Sequence, residues 1–432
     1  MISTAQFGFL KNHSCLQQLL TFLDNVINSL TCNEQIDTVY LDFRKAFDKV
    51  PHIELLHKLK SIGISGNLLK WFKTYLSNRQ QLVSINGSQS SIVPVSSGVP
   101  QGSILGPLLF LVYINDLPQC VPNGKVYLFA DDTKCSHPIS TTFDCDQLQA
   151  NLTSLSDWST KWSLHFNASK CILMQFHRVN HSVLDFSYKI GDQTISSKAT
   201  LKDLGLILHS NLNWTNHYEH ICSAAYRILG LLKRTFSSTS TVSVKKRLFI
   251  SLVRSQLSYC SQIWRPALIK DIRKLETVQR RATKFIVGIS NSMDYRNRLI
   301  KLEILPLMYY LEMADIMFLV NSLKKASVRF NIRSYVHFQD TTNTRSSSKL
   351  TLKHFLSSSH LQSHFYFNRL PKLWNKLSPI DLTQSSKSIK HVIFKFFWSH
   401  FITNFTSDNP CTYHFSCPCN KCSAMPSSYR PT

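Results

Sequence analysis

Acidic residues are scarce: 25 Asp and Glu stand against 49 Lys and Arg in 432 residues, a formal net charge of +24. That excludes an acidic, self-solvating chain and implies a polyanionic partner, nucleic acid first. A ribosome-like or merely basic surface would carry the same excess. Long hydrophobic runs are missing too. The longest, Ile104 to Ile114, is well short of the ~20 residues a membrane helix needs, so no membrane partner is expected. The first twenty residues mix polar and apolar types and lack the pattern of a secretory signal. Of twelve cysteines, eight are scattered and four crowd into the last two dozen residues. Without a secretory signal the scattered ones read as reduced thiols of an intracellular protein. No internal repeat is present. What remains is a chain with 43% apolar residues, enough for a core and for roughly two to four domains.

The stretch that organises the chain is Val126-Tyr127-Leu128-Phe129-Ala130-Asp131-Asp132-Thr133. An apolar strand runs into two aspartates and a second strand, Thr133 to Ser136, leaves them, which reads as a hairpin turning at Asp131-Asp132. Adjacent carboxylates repel unless a cation sits on them, and Mg²⁺ is commonly held by one or two carboxylates with substrate phosphates. Thr38-Val39-Tyr40-Leu41 reads as a fully buried strand ending on Asp42. Set beside the first, it places Asp42 opposite Asp131. That is the minimum for a two-metal site, with ions about 3.5–4 Å apart.

Tyr40-Leu41-Asp42-Phe43-Arg44-Lys45-Ala46-Phe47-Asp48-Lys49-Val50-Pro51-His52 resembles the first catalytic motif of non-LTR (LINE-type) retrotransposon reverse transcriptases. Ser97-Gly98-Val99-Pro100-Gln101-Gly102-Ser103 resembles their second motif and Phe129-Ala130-Asp131-Asp132 their third, in the family's order and spacing. The resemblance covers nearly the whole chain. It implies an RNA-directed DNA polymerase that extends a 3′-OH primer with dNTPs on an RNA template. The partners would be that template and a DNA primer, and the place nucleus and cytoplasm, as a retroelement ribonucleoprotein. Family members carry more fingers upstream, and usually an endonuclease domain, so the chain resembles an N-terminally truncated piece of a longer polyprotein. The alternative is a catalytically inactive relic that only binds nucleic acid.

The resemblance also assigns residues. Asp42 and Asp131 would bridge two Mg²⁺ ions, with Asp132 in support. Phe47 would be the steric gate against a ribose 2′-OH, a discrimination by clash. Gln101 and Gly102 would meet the incoming base or template, the glycine by close backbone approach. Lys170, in Asn167-Ala168-Ser169-Lys170, would neutralise departing pyrophosphate, and Arg44 and Lys45 would contact the triphosphate. Asp48 lies off the metal face by strand alternation. In the tail, Cys411, Cys417, Cys419 and Cys422 suit a tetrahedral Zn²⁺, with His414 as an alternative ligand; otherwise they are four reduced thiols.

The expected fold is α+β: a right-hand polymerase palm with partial fingers, a helical thumb and a small C-terminal module. Residues 1–37 are expected as partial fingers and 38–215 as palm with the remaining fingers elements. A helical basic thumb follows over 216–325, then a linker over 326–350, an aromatic-rich module over 351–405 and a Cys-rich tail over 406–432. Ile62 and Trp71 are expected on core stripes of helices between 54 and 76. Leu201 to Leu206 resembles the family's primer-grip hairpin, with Asp203 where an aromatic is usual. Arg254, Lys245, Arg280, Arg281 and Lys284 are among the thumb's expected phosphate contacts.

Overall fold

The computed structural model describes residues 2–178, 182–236, 240–288, 292–325, 327–339, 351–354, 357, 359–377, 380–406 and 409–415. The chain forms two compact units, Met1–Leu201 and Lys202–Thr432.

The first unit is built on a five-stranded sheet. Its strands are β1 (Gln35–Leu41), β2 (Lys125–Phe129), β3 (Asp132–Ile139), β4 (Ile172–Phe176) and β5 (Ser196–Ser197), in the order β5-β4-β1-β3-β2. β1 is central and antiparallel to both neighbours, with Val39 opposite Cys135 and Leu173. It is covered on both faces, which is why its sequence is a continuous apolar and β-branched run. Helix α1 (Cys15–Thr31) lies on one face, where Phe22 meets Tyr40, Tyr127 and Phe176 edge-on. On the other face Val39, Leu41, Cys135 and Leu173 share a core with Leu148, Leu152 and Leu155 of α5 (Thr142–Lys161). Asp144 closes a capping box on Thr141 at the start of α5.

Two expectations about this sheet are corrected. The strand beside β1 is β3, the one that follows the aspartates, and β2 lies outside it. The hairpin turns at Ala130-Asp131, because Phe129 pairs with Asp132; Asp132 is already strand.

Helices α2 (His52–Ser61) and α3 (Gly66–Leu76) break at Gly63 and Gly66, both with left-handed φ. Phe72 and Leu76 are buried, but Ile62 and Trp71 are about half exposed, at 48% and 49%. The periodic stripe is wider than the face that finds a partner. Gln81 to Val95 forms two short exposed ladders around Asn86-Gly87. Helix α4 (Leu105–Tyr113) follows, with Pro107 in its first turn.

The boundary between the units falls within β6 (Thr200–Asp203), which forms a hairpin with β7 (Leu206–His209), turning through Leu204 and Gly205, both at positive φ. Helices α6 (Thr215–Thr235), α7 (Val242–Leu248), α8 (Ile269–Val287), α9 (Tyr295–Leu302) and α10 (Leu307–Lys324) follow. Then come α11 (Tyr366–Trp374) and α12 (Ser386–Asn404). The aromatic stretch shares the core of these helices. Tyr309 packs on Phe397 and Phe401, and Tyr366 donates to the Asp315 carbonyl at 2.8 Å. Asp315 is buried between Arg265 and Arg369, each 3.0 Å away. The expected linker is packed in its described first part, where Phe330, Ile332 and Val336 are buried.

Candidate catalytic site

Asp42 follows the last residue of β1, and Asp131 sits in the β2–β3 turn. The strand pairing stops at Leu41 opposite Thr133, so the chain ends leave the sheet side by side. Ala130 takes a left-handed φ of 55° to make the turn, a conformation that costs a non-glycine residue energy. The N-terminal segment holds it there. Phe7 N–H donates to the Leu128 carbonyl, and the Gln6 Oε1 accepts from both Gly8 N–H (2.7 Å) and Ala130 N–H (2.9 Å). A Cβ on Gly8 would stand 2.4 Å from the Ala130 nitrogen, so only glycine fits. Residues 5–8, expected as fingers, thus form an outer rail for the turn that bears Asp131. Gln6 and Gly8 were missed in the sequence; the only signal was a buried-looking Gln between apolar neighbours.

The loop before β4 closes the other side. Asn167 N–H donates to the Asp42 carbonyl at 2.7 Å, and Lys170 Nζ lies 3.6 Å from Asp42 Oδ2. That oxygen is shielded from solvent and accepts no hydrogen bond. Asp131 is raised above the usual carboxylate range, first by burial and further by the charge of Asp42. Asp132 is exposed at the start of β3. Among the described residues no three His, Cys, Asp or Glu side chains gather into a metal-holding group.

The first-motif loop is a single 3-10 turn, Ala46–Asp48, entered through Lys45 at a φ of 51°. Asp48 is thus set by a turn and not by strand alternation. The Phe47 ring stacks on Phe110 of α4 at 4.3 Å and meets Phe9 edge-on at 6.1 Å. Its carbonyl accepts from Val99 N–H at 2.8 Å. Further bonds tie this loop to the Pro-Gln-Gly stretch: Gly98 N–H to the Val50 carbonyl (2.8 Å), Ser97 Oγ to the Asp48 carbonyl (2.9 Å) and Gln101 Nε2 to Asp48 Oδ1 (2.7 Å). Gly98, at a φ of 92°, would put a Cβ 2.7 Å from Asp48 backbone. Within the protein it is Gly98 that needs this close approach; a Cβ on Gly102 would meet no protein atom, and its φ of 76° is what favours glycine there.

A cleft of about 640 Å³ opens between these loops and the base of the exposed ladders, lined by Lys45, Asp48, Lys49, Arg79, Pro100 and Gln101 among others. Arg44 is exposed, its N–H donating to the His165 carbonyl at 2.9 Å.

In the second unit, part of the expected basic surface is internal. Arg254 is buried over the Tyr310 ring (3.8 Å) and donates to the Leu305 carbonyl. Lys245 is buried over Phe285, and Arg280 is held by the Tyr295 ring (4.4 Å) and the Tyr413 hydroxyl. Long basic side chains cover apolar surface with their stems, so charge count overstates the exposed charge. Arg273, Arg281 and Lys284 are exposed on α8. Asp203 is buried at the end of β6. Cys411 lies in a short 3-10 turn, Pro410–Tyr413, and His414 is buried beside it. Cys417, Cys419 and Cys422 lie outside the described residues.

With this geometry in hand, residues 1–208 match the family described as "Reverse transcriptase (RNA-dependent DNA polymerase)". That match takes in just under half of the chain, and over it the chain is similar to reverse transcriptases. It is 28% identical over 301 residues to the probable RNA-directed DNA polymerase from transposon X-element of Drosophila melanogaster, covering 66% of this chain and 32% of that protein. It is also 28% identical over 297 residues to the RNA-directed DNA polymerase from mobile element jockey of Drosophila funebris, with the same coverage. The chain therefore spans about a third of the length of the curated relatives it matches. Apo telomerase from Candida tropicalis aligns at 11% identity over 76% of this chain and 57% of that one, with a TM-score of 0.38. Among the described residues no helix is long and apolar enough to cross a membrane.

Proposed function

We propose that this chain is the polymerase part of a retrotransposon reverse transcriptase, extending a DNA primer with dNTPs on an RNA template. The observation that carries this is the pairing of Asp42 and Asp131 at one end of the central sheet, with a shielded Asp42 oxygen that meets no hydrogen-bond donor. A divalent cation fits there: carboxylate oxygens are the hard donors Mg²⁺ takes. Bound Mg²⁺ would lower the pKa of the primer 3′-OH and offset charge on the leaving pyrophosphate.

The chain's own residues do the rest. Asp42 and Asp131 would hold the ions. Lys170, beside Asp42, carries a positive charge to the leaving-group side. Phe47, fixed by Phe110 and by the bond from Val99, stands where a bulky ring restricts the sugar. Arg44 and Lys45 meet triphosphate, and Gln101 and Gly102 shape the base and template side. In the tail, Cys411, Cys417, Cys419 and Cys422 would hold Zn²⁺ as an accessory contact.

The decisive experiment is primed synthesis of DNA on an RNA template by the purified chain with Mg²⁺, compared with Asp42→Asn and Asp131→Asn. Synthesis lost in both variants, with RNA binding kept, supports the reading. Synthesis that survives either substitution refutes it. The exposed position of Asp132 favours the second reading, a relic that binds RNA without copying it. That reading expects binding and no synthesis from the unmutated chain.

A further inference from the structure

We propose that Asp48 is a positioning residue that fixes the side-chain amide of Gln101, so that the cleft beside it presents a hydrogen-bond acceptor to a nucleotide. The inference rests on the polymerase reading and deepens it at a residue that reading leaves without a role.

An ionised carboxylate only accepts hydrogen bonds. The 2.7 Å contact from Gln101 Nε2 to Asp48 Oδ1 therefore decides which end of the amide faces Asp48. The Gln101 Oε1 is left with no protein partner among the described residues. Both residues line the cleft, whose cationic members are Lys45, Lys49 and Arg79. A phosphate is the natural anion for three such heads. A free carboxylate among them would repel it. Turned onto Gln101, the Asp48 charge serves another purpose: it orients a neutral acceptor next to the phosphate-attracting wall. The ligand that uses both is a nucleotide, phosphate on the cations and a base N–H or sugar O–H on Gln101 Oε1. Either a free dNTP or a residue of the template strand has that chemistry.

The backbone makes the latch testable. Ser97 bonds to the Asp48 main chain and Gly98 packs close against it, neither touching the side chain through a hydrogen bond, so substitution at Asp48 spares the loop contacts. Asp48→Asn keeps an acceptor for Gln101 Nε2, whereas Asp48→Leu has a similar size and none.

The experiment uses the full chain and four variants: Asp48→Asn, Asp48→Leu, Gln101→Leu and the Asp48→Leu/Gln101→Leu double. Steady-state primer extension gives KM for dNTP and kcat, and titration of a single-stranded RNA gives template affinity. Asp48→Leu is expected to raise KM or weaken template binding about tenfold, the loss of one charge-assisted hydrogen bond, with kcat nearly unchanged. Which of the two moves identifies the ligand. Asp48→Asn is expected to recover most of that loss. The double variant is expected to be no worse than either single, since the pair acts as a unit. Losses that multiply, or an Asp48→Leu variant with wild-type KM and template affinity, overturn the latch. A separate readout needs no catalysis: the side-chain NH₂ resonance of Gln101, identified by its absence in Gln101→Leu. If the unmutated chain extends no primer, the polymerase reading fails, and this resonance alone judges the latch. Its shift in Asp48→Leu, with recovery in Asp48→Asn, supports it; an unmoved resonance overturns it.

Discussion

Lys170 Nζ stands 3.6 Å from Asp42 Oδ2, an oxygen that no hydrogen bond reaches. Both side chains are substantially exposed, so the pair contributes little to stability. Its consequence is for cation binding. Lys170→Ala is expected to tighten Mn²⁺ binding by about two- to fivefold, the range of an exposed ion pair, while slowing primer extension. Weaker Mn²⁺ binding in that variant, read by electron paramagnetic resonance, would remove Lys170 as a neighbour of the metal.

Asp131 is raised by burial and by Asp42. A raised carboxylate keeps its proton to higher pH, and a metal must displace that proton. Divalent-ion affinity is therefore expected to climb as pH rises through a range above the usual carboxylate value, then level off. Without metal, the stability of this unit is expected to fall across the same range, because the folded state binds the extra proton. A flat affinity profile by calorimetry would contradict the assignment.

Phe47 is held by Phe110 and by the bond from Val99 to its carbonyl. Phe47→Val keeps the loop bonds and shortens the ring. It is expected to relax rejection of ribonucleotides at least about tenfold, because a clash and not an attraction makes the discrimination. Competitive incorporation of rNTP and dNTP checks this, and unchanged selectivity would show that Phe47 is only core.

On α8, Arg273, Arg281 and Lys284 are exposed, whereas Arg280 is engaged by Tyr295 and Tyr413. Replacing the exposed three with Ala is expected to weaken duplex binding and lower the salt slope by about two to three. Arg280→Ala is expected to lower thermal stability and leave the slope nearly unchanged. Fluorescence anisotropy across salt concentrations separates the two, and a slope kept by the triple variant would place these charges away from nucleic acid.

Asp37 is fully buried in β1 and accepts from Gln35 Nε2 and the Tyr188 hydroxyl, each at 2.8 Å. Burial pushes its carboxyl up to about 6. The folded state thus binds a proton that the unfolded chain has lost. Stability is expected to decline as pH rises from about 4 to above 6, by up to about 3 kcal/mol from this group. Asp37→Asn should flatten that decline in chemical denaturation at pH 4 and pH 8. An unchanged pH dependence would mean that Asp37 is ionised in the fold.

Three ordered motifs, the buried run ending on Asp42, the hairpin at the paired aspartates and the helix after Pro-Gln-Gly were legible in the amino-acid order alone. Each depends on local period, turn chemistry and charge, which short segments carry by themselves. The tertiary structure decided what those segments meet. It put β3 rather than β2 beside β1, because only long-range pairing chooses a strand's neighbour. It turned Arg254, Lys245 and Arg280 inward, since a basic side chain's stem and head answer to whatever aromatic face lies next to them. It joined the described part of residues 351–405 to the helices before them, because the helices' aromatic faces find their burial there. And it brought Gln6 to Ala130 and Asp48 to Gln101, contacts between residues far apart in sequence whose hydrogen-bonding groups have no local signature until the chain has folded around them.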